Sequence, residues 1–203
     1  ARSHAVRLLV NRSLVVADET NFLSSRGSAR NWGLRGSVDK NLETNIKGIY
    51  AIGDCAELRS PSAGRRPIEA VWYTGRIMGE TVAQTICNKE TPYTPGHWFN
   101  SAKFFDIEYQ TYGWVNSEKH MKANEVHFHW QHSDQKKCMT FAFDKNTQTL
   151  LGVNSFGVRL RHEVFNDWLT HKKTIDYVLE HLENANFDPE FYRTYSKDII
   201  DKF

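Results

Sequence analysis

The first half of the chain places short apolar runs between polar, glycine-containing stretches. Residues 5–17 are rich in Val and Leu around a polar break, which predicts two short buried strands or a hairpin. Residues 49–52, Ile-Tyr-Ala-Ile, predict a strand that is covered on both faces, as in a parallel sheet. We expect this strand to end at Gly53 and Asp54, where the sequence turns polar.

The segment after this strand predicts a loop followed by a helix. Residues 61–67 contain two prolines and a glycine, as loops do. Between Val71 and Ile86 the apolar residues follow helical spacing, so we expect a helix that begins near Ile68 and stops at Asn88. Strand, loop and helix in this order form half of an α/β unit.

The second half of the chain has a different pattern. Two prolines and a glycine in residues 89–98 favour a domain boundary there. Aromatic-rich runs with partial alternation follow, and they predict an antiparallel sheet of about four strands. These runs are residues 102–115, 125–132, 137–144 and 150–157. Helical spacing then predicts helices from residue 162 onward, with Thr174 as an N-cap and with Asp188 and Pro189 at the start of the last helix.

Taken together, these patterns predict an α+β fold with two domains. Residues 1–96 are expected to be an incomplete part of an α/β ligand-binding domain. Residues 97–203 are expected to form a C-terminal antiparallel sheet packed with helices.

Composition narrows the class of protein. The chain has 203 residues, of which 40% are hydrophobic and 25% charged, as in globular proteins. A formal net charge of +2 implies neither a nucleic-acid nor a membrane partner. The three cysteines, Cys55, Cys87 and Cys138, are too few and too widely spaced for a disulfide framework, and no apolar run approaches the ~20 residues of a membrane span. We expect a cytoplasmic protein, and a start without Met in strand-like sequence indicates a piece of a longer one.

The strongest candidate for a ligand-binding site lies at the end of the strand that contains Ile49. A Gly-Asp pair there puts a carboxylate at the carboxyl end of a sheet, where open α/β folds bind ligands. The positive end of the following helix dipole would favour an anion or an electron-rich ring edge. The alternative is that Asp54 caps the local backbone of a turn, and on physical grounds the two interpretations are about equally strong.

The residues around Asp54 resemble a known family. The segments "VDKNLETNIKGIYAIGDCAE" and "PIEAVWYTGRIMGETVA" are similar to the C-terminal FAD-binding segment of the FAD-dependent pyridine nucleotide-disulfide oxidoreductases. "NFLSSRGSARNWGLRGS" looks like the lead-in where these enzymes return from the nicotinamide domain to the flavin domain. "NSAKFFDIEYQTYG" and "LLGVNSFGVRLRHEVFNDWL" are similar to the domain appended in the ferredoxin-reductase-like and NADH-oxidase-like branches.

The resemblance implies a flavin site and an electron-transfer reaction. In the family, the Asp that matches Asp54 bonds the ribityl chain of FAD, and the helix start that follows lies against the pyrimidine edge of the isoalloxazine. The appended domain closes over the flavin and often contributes to a dimer interface. The candidate cofactor-binding residues are therefore Gly53, Asp54, Glu69, Ala70, Val71 and Trp72. The implied cofactor is FAD, with NAD(P)H as the cosubstrate of the complete protein.

The chain also departs from the family pattern. Its 12 glycines form no Gly-x-Gly-x-x-Gly phosphate loop, although the family has one in the flavin domain and one in the nicotinamide domain. It has no Cys pair for a redox disulfide and no His-Glu base pair, since His162-Glu163 favours a helix start. We therefore name no catalytic residue and expect the chain alone to be inactive. Its expected partners are the missing N-terminal part or a second copy.

Three smaller features each have two interpretations. Cys55 is either a thiol poised beside a flavin or, more plainly, a small apolar filler. The histidines of residues 127–132 invite a metal site but lack firm third and fourth ligands, so we expect no metal. Trp72 either shields a ring face or packs against the second domain, and both are compatible. The aromatic stripe of residues 104–114 is expected to be core rather than a nucleic-acid surface.

Two functions remain open from the sequence. The first is the C-terminal part of an FAD-dependent oxidoreductase that passes electrons from NAD(P)H through flavin to an unidentified acceptor. The second is a non-catalytic interaction or dimerisation module in residues 97–203, which an exposed sheet edge and aromatic surface would favour.

Overall fold

The computed structural model describes residues 7–10 (backbone only), 36–62, 64–187 and 194–203. The chain divides between Pro95 and Gly96 into two units. Each unit has a hydrophobic core built from its own residues. The fold is α+β, as predicted, because short parallel strands and one long helix precede an antiparallel sheet with short helices.

The first unit contains two parallel strand pairs among its described residues. Strand β1 (Arg7–Val10) pairs with β3 (Ile49–Ile52), and β2 (Gly36–Val38) pairs with β4 (Ala56–Leu58). The parallel pairing predicted for residues 49–52 is confirmed. Strand β4 was not predicted, because the polar residues beside it resemble a loop. The rest of the predicted segment 5–17 lies outside the described residues.

A tight polar turn joins β2 to β3. The Asp39 carboxylate accepts the backbone N–H groups of Asn41 (2.8 Å) and Glu43 (3.0 Å), as in an Asx turn. Leu42 is fully buried and has a φ of 62°, so its side chain reaches the core from a left-handed backbone. The Glu43 carboxylate accepts the N–H of Gly48. The Asp39 and Glu43 carboxylates therefore order the segment that leads into β3.

Helix α1 (Trp72–Ile86) follows the loop after β4. It begins four residues later than predicted, because Val71, with a φ of −130°, is still extended. Met78 and Val82 face the core beside Ala51 and Ile52, so the helix covers the β3 strand. Asn88 ends the helix as predicted, with a left-handed φ of 65°.

The second unit is built on a five-stranded antiparallel sheet. Its strands are β5 (Phe99–Phe104), β6 (Ile107–Gly113), β7 (Glu125–Gln131), β8 (Cys138–Asp144) and β9 (Leu150–Phe156), in the order β5-β6-β9-β8-β7. The prediction of about four strands was wrong by one, because residues 102–115 are not a single strand. They turn back at Phe105, whose φ is 52°, so that β5 and β6 form a hairpin. The expectation that the aromatic stripe of residues 104–114 is core was wrong for Phe104, Phe105 and Trp114, which are exposed at or beside the ends of these strands.

Short helices cover one face of this sheet. They are α2 (His162–Thr170), α3 (Ile175–Glu180) and α4 (Ser196–Ile200). Thr174 caps α3 as predicted, since its hydroxyl accepts the N–H of Tyr177 at 3.4 Å. The start predicted at Asp188 and Pro189 lies outside the described residues. The core between sheet and helices is aromatic, with Trp130, Phe141 and Phe165 at its centre. None of the helices in the described ranges has the length and apolar character needed to cross a membrane.

Candidate functional site

Gly53 makes the turn at the end of β3 and brings it against helix α1. Its φ of 75° is readily adopted only by glycine, and its N–H donates to the Met78 sulfur at 3.4 Å. A Cβ added to Gly75 would lie 3.4 Å from the Gly53 Cα, so backbone meets backbone there. The strand end and the first turns of α1 are therefore held side by side, although they are some twenty residues apart in sequence.

Asp54 follows in a 3-10 turn of residues 53–55 and is exposed. Its carboxylate accepts no hydrogen bond from the residues that the structure describes. The backbone cap of this turn is instead the N–H of Ala56, which donates to the Gly53 carbonyl. Of the two interpretations of Asp54, the local cap is not what these residues form, and the carboxylate is left available to a ligand.

The Glu69 side chain points away from solvent and into an ion pair. Its two carboxylate oxygens accept from Arg65 Nε at 2.7 Å and Nη2 at 2.6 Å, and both side chains are only 7% exposed. Thr74 Oγ1, in the first turn of α1, donates to Glu69 Oε2 at 3.3 Å. If Glu69 contributes to a ligand site, it therefore does so through its backbone.

The backbone of the next three residues enters α1. The N–H of Val71 donates to the Glu69 carbonyl at 2.9 Å, which removes Val71 from the candidate donors. The N–H groups of Ala70 and Trp72 have no acceptor within the described part of the chain. Trp72 is the first residue of α1, and the first N–H groups of a helix have no partner in the helix itself, whereas Ala70 precedes the N-cap residue Val71. These two N–H groups are candidate donors to a ligand.

The Trp72 side chain is 68% exposed at the start of α1. Its ring meets Tyr73 edge to face at 5.2 Å, and the Arg76 guanidinium lies 6.0 Å from its centroid. Shielding of a ligand ring by Trp72 stays a prediction.

Cys55 matches the plainer interpretation given above. Burial raises the pKa of its thiol, and the thiol donates to the Ile52 carbonyl at 3.3 Å. A protonated, hydrogen-bonded thiol is a poor nucleophile.

The three histidines of residues 127–132 each contact a different side chain. His127 lies 2.7 Å from Glu125, His129 is 2.8 Å from the Thr140 hydroxyl, and His132 is 2.9 Å from Asp134. Over the described ranges, no group of three or more His, Cys, Asp or Glu side chains is arranged to hold a metal ion.

Sequence reasoning missed Arg65 and Thr74. The only signal in the sequence was an Arg and a Glu four residues apart, a spacing that usually marks an exposed pair on a helix. Here both residues lie in the loop that precedes α1, and a loop has no periodicity that would reveal the pair.

Comparison with known proteins finds relatives that are oxidoreductases. No model of a known protein family matches it. It is 24% identical over 132 residues to a CoA-dependent NAD(P)H sulfur oxidoreductase of Pyrococcus abyssi, covering 61% of this chain and 30% of that protein. It is 25% identical over 129 residues to an NAD(P)H coenzyme A polysulfide/persulfide reductase of Pyrococcus horikoshii, covering 59% and 29%. The chain thus spans about 30% of the length of these curated relatives.

Two solved structures share the fold. An NAD-dependent persulfide reductase from A. fulgidus aligns with a TM-score of 0.56 and 19% identity, over 72% of this chain and 29% of that one. An FAD-dependent pyridine nucleotide-disulphide oxidoreductase from Desulfovibrio vulgaris aligns with a TM-score of 0.54 and 17% identity, over 82% and 41%.

Proposed function

Since the chain is related to the FAD-dependent pyridine nucleotide-disulfide oxidoreductases and resembles their C-terminal part, we propose that it supplies one side of a flavin site. In the complete protein, electrons would pass from NAD(P)H through the flavin to an acceptor. The NAD(P)H and sulfur chemistry in the names of the relatives belongs to proteins about three times as long as the matched segment.

One observation supports this proposal most directly. Gly53 and Gly75 lie in close contact, Asp54 follows Gly53 and is exposed, and Gly75 lies in the first turn of α1, whose start offers the candidate N–H donors. A carboxylate that accepts and backbone amides that donate are the two kinds of group that a ribityl chain and a ring edge require. The donor set therefore fits the flavin end of FAD.

The residues in this site have binding roles rather than catalytic ones. Asp54 would accept a hydrogen bond from a ribityl hydroxyl, and the N–H groups of Ala70 and Trp72 would donate to electronegative atoms at the ring edge. When bound, the flavin supplies the redox chemistry, and the protein orients it. Since the sequence has no phosphate loop and no nicotinamide site of the family type, we expect no NAD(P)H oxidation by the chain alone.

Titration with flavins tests this proposal. The contacts above concern the ribityl chain and the ring, so FAD and riboflavin should bind the chain with affinities within several-fold of each other. Asp54→Ala should weaken both about tenfold or more, because each tenfold corresponds to about 1.4 kcal/mol, the worth of a hydrogen bond to a charged group. Flavin fluorescence and absorbance report binding.

Glu57→Gln is the matched control, since it removes a nearby carboxylate on β4. It should bind flavin as the wild type does. No flavin uptake by the wild type at high concentration would overturn the proposal, and equal affinity in Asp54→Ala would overturn the role of Asp54.

A specific observation also favours the second function, a self-association module. Three large apolar side chains lie exposed at the tip of the β5-β6 hairpin, Phe104, Phe105 and Ile107, and Phe105 is 98% exposed. Strand β5, which leads into this tip, lies at one end of the strand order, and β7 lies at the other. A second copy of the chain would bind this hairpin through its own hairpin, as in a dimer with an isologous interface.

A further inference from the structure

The loop between β4 and α1 has few backbone hydrogen bonds to hold it. Across residues 59–71 the backbone N–H groups of Arg59, Arg65 and Val71 donate to Val38, Ser62 and Glu69, each at 2.9 Å. The Pro67 carbonyl accepts the N–H of Leu58 at 2.8 Å. Two prolines contribute no N–H. The conformation of this loop therefore depends on its side chains as well as on these backbone bonds.

The ion pair of Arg65 and Glu69 joins two charged side chains of this loop through two hydrogen bonds. Its geometry is bidentate, with two bonds of 2.7 and 2.6 Å. A planar guanidinium and a planar carboxylate that meet in this way fix direction as well as distance. Outside a helix, this contact closes residues 65–69 into a turn.

A hydrogen bond attaches the pair to the start of α1, and Tyr93 lies within electrostatic reach of it. Thr74 donates to Glu69 from the first turn of α1 and is 4% exposed. Burial raises the pKa of Tyr93 to about 12, and Arg65 and Glu69 both act on its phenol. The phenol therefore stays protonated, and the pair connects the loop to the start of the helix.

Energetics indicate orientation rather than stability as the role of the pair. Two charges taken out of water recover little net free energy from each other, and apolar residues of similar volume often stabilise a protein as well. Glu69 immediately precedes the residue whose N–H is available, and its own carbonyl accepts the N–H of Val71. Holding the Glu69 side chain thus restrains the residue from which the next two peptide groups extend.

We propose that the pair of Arg65 and Glu69 is a positioning device, which holds the Ala70 and Trp72 amides in place for the flavin ring edge. The inference rests on the proposed function. Arg65 and Glu69 touch no cofactor in this arrangement, and they act through the backbone that they fix.

Conservative variants test this role in the full chain. Arg65→Lys keeps the charge but loses the two-pronged contact, and Glu69→Gln keeps the shape but loses the charge. Each should weaken FAD binding about tenfold and change the absorbance of the bound ring, because the edge contacts are misaligned. The double exchange Arg65→Glu with Glu69→Arg should recover most of the affinity, which simple loss of a folded loop would not explain.

Glu80→Gln is the matched control. It breaks the ion pair with Arg76 at the same spacing on α1, where the two side chains are 62% and 58% exposed. It should bind FAD as the wild type does.

Hydrogen exchange without FAD gives a readout that does not depend on binding. In Arg65→Lys and Glu69→Gln, amides of residues 64–74 should exchange faster, while the rest of the unit keeps the wild-type rates. Faster exchange across the whole unit would assign the pair a merely structural role and overturn the inference.

The two proposals fail in different ways. A wild-type chain that binds FAD together with variants that bind it equally well would overturn the positioning role alone. A wild-type chain that binds no flavin would overturn the proposed function and the positioning role with it.

Discussion

Glu125, at the start of β7, is a buried carboxylate with four hydrogen bonds to described residues. It is 4% exposed. It accepts from the backbone N–H and the side-chain amide of Asn116, from the N–H of Lys122, and pairs with His127. Burial alone would raise the pKa of this carboxyl, but the hydrogen bonds together outweigh burial and lower the pKa to about 2. The loop of residues 116–122 is thus held to the sheet by one ionised group.

This pKa predicts acid sensitivity of the second unit. Because the carboxyl is more acidic when folded than its ordinary value of 4.5, its contribution to stability is complete above that pH and is lost as the pH falls toward 2. Between pH 5 and pH 3 the free energy of unfolding should fall by about 2 kcal/mol from this group. Urea unfolding at a series of pH values measures it.

Glu125→Gln should remove this part of the pH dependence. Glu118→Gln, an exposed change in the same loop, should keep it. An unchanged pH profile in Glu125→Gln would contradict the assignment.

At the residue scale, the sequence located some groups and not others. Asp54 could be found because an apolar strand ends beside it, and strand ends are visible in a hydrophobic pattern. The partner of Glu69 could not be found, since a loop has no period from which to read which side chains meet. Val71 was assigned as a donor, yet its N–H is used by the Glu69 carbonyl, a local bond that the sequence does not display.

At the scale of elements, β9 lies very close to the backbone of Trp114, the residue that follows β6. A Cβ on Gly152 would lie 2.5 Å from the backbone N and O of Trp114. The Trp114 N–H donates to the Leu151 carbonyl at 2.9 Å, and its ring stacks on Trp98 at 5.7 Å. The absence of a side chain at Gly152 therefore permits this stacked pair.

Gly152→Ala should destabilise the second unit by about 1–3 kcal/mol, because the added methyl meets backbone that has no room to move. Gly79→Ala is the control. Gly79 lies in the middle of α1, and an added Cβ would lie 3.7 Å from the Ile52 side chain, which is ordinary van der Waals contact. That change should be neutral or stabilising by up to about 1 kcal/mol, as alanine favours a helix. Denaturant unfolding, followed by Trp fluorescence and circular dichroism, compares them, and a wild-type midpoint for Gly152→Ala would contradict the close packing.

Periodicity predicted the elements well where one face is buried. Helix α1 and the cap at Thr174 follow directly from spacing and from a polar residue before an apolar run. The β5-β6 hairpin was missed because its turn is made by Phe105 and Asp106 with no glycine, so the aromatic run continues through it. The start of α1 was placed too early because the apolar residues before Trp72 lie in the loop held by Arg65 and Glu69.

At the scale of the whole molecule, the exposed hairpin tip predicts self-association. Phe104 stacks on Tyr109 at 5.8 Å, and Tyr109 lies 5.9 Å from Phe156, so the apolar surface continues from the tip across two strands. An apolar surface of this kind on a sheet edge marks an interaction site.

We expect the chain to sediment as a dimer or larger species at high concentration and Phe105→Ser to shift it toward monomer. The change removes an exposed ring without touching the core, so folding should be unaffected. Phe187→Ser, an exposed Phe outside the hairpin, should sediment as the wild type does. A wild-type chain that is monomeric at high concentration would exclude this surface as a strong self-contact.

The parallel pairs of the first unit have a consequence for how such a protein matures. Within the described residues they amount to two sheets of two strands each, and sheets of that size are marginal by themselves. A ligand that binds only the folded form raises the free energy of unfolding by about 1.4 kcal/mol for each tenfold excess over its dissociation constant. With flavin in the proposed site, the supply of the vitamin-derived cofactor would therefore help to decide how much of the newly made chain reaches and keeps its native state.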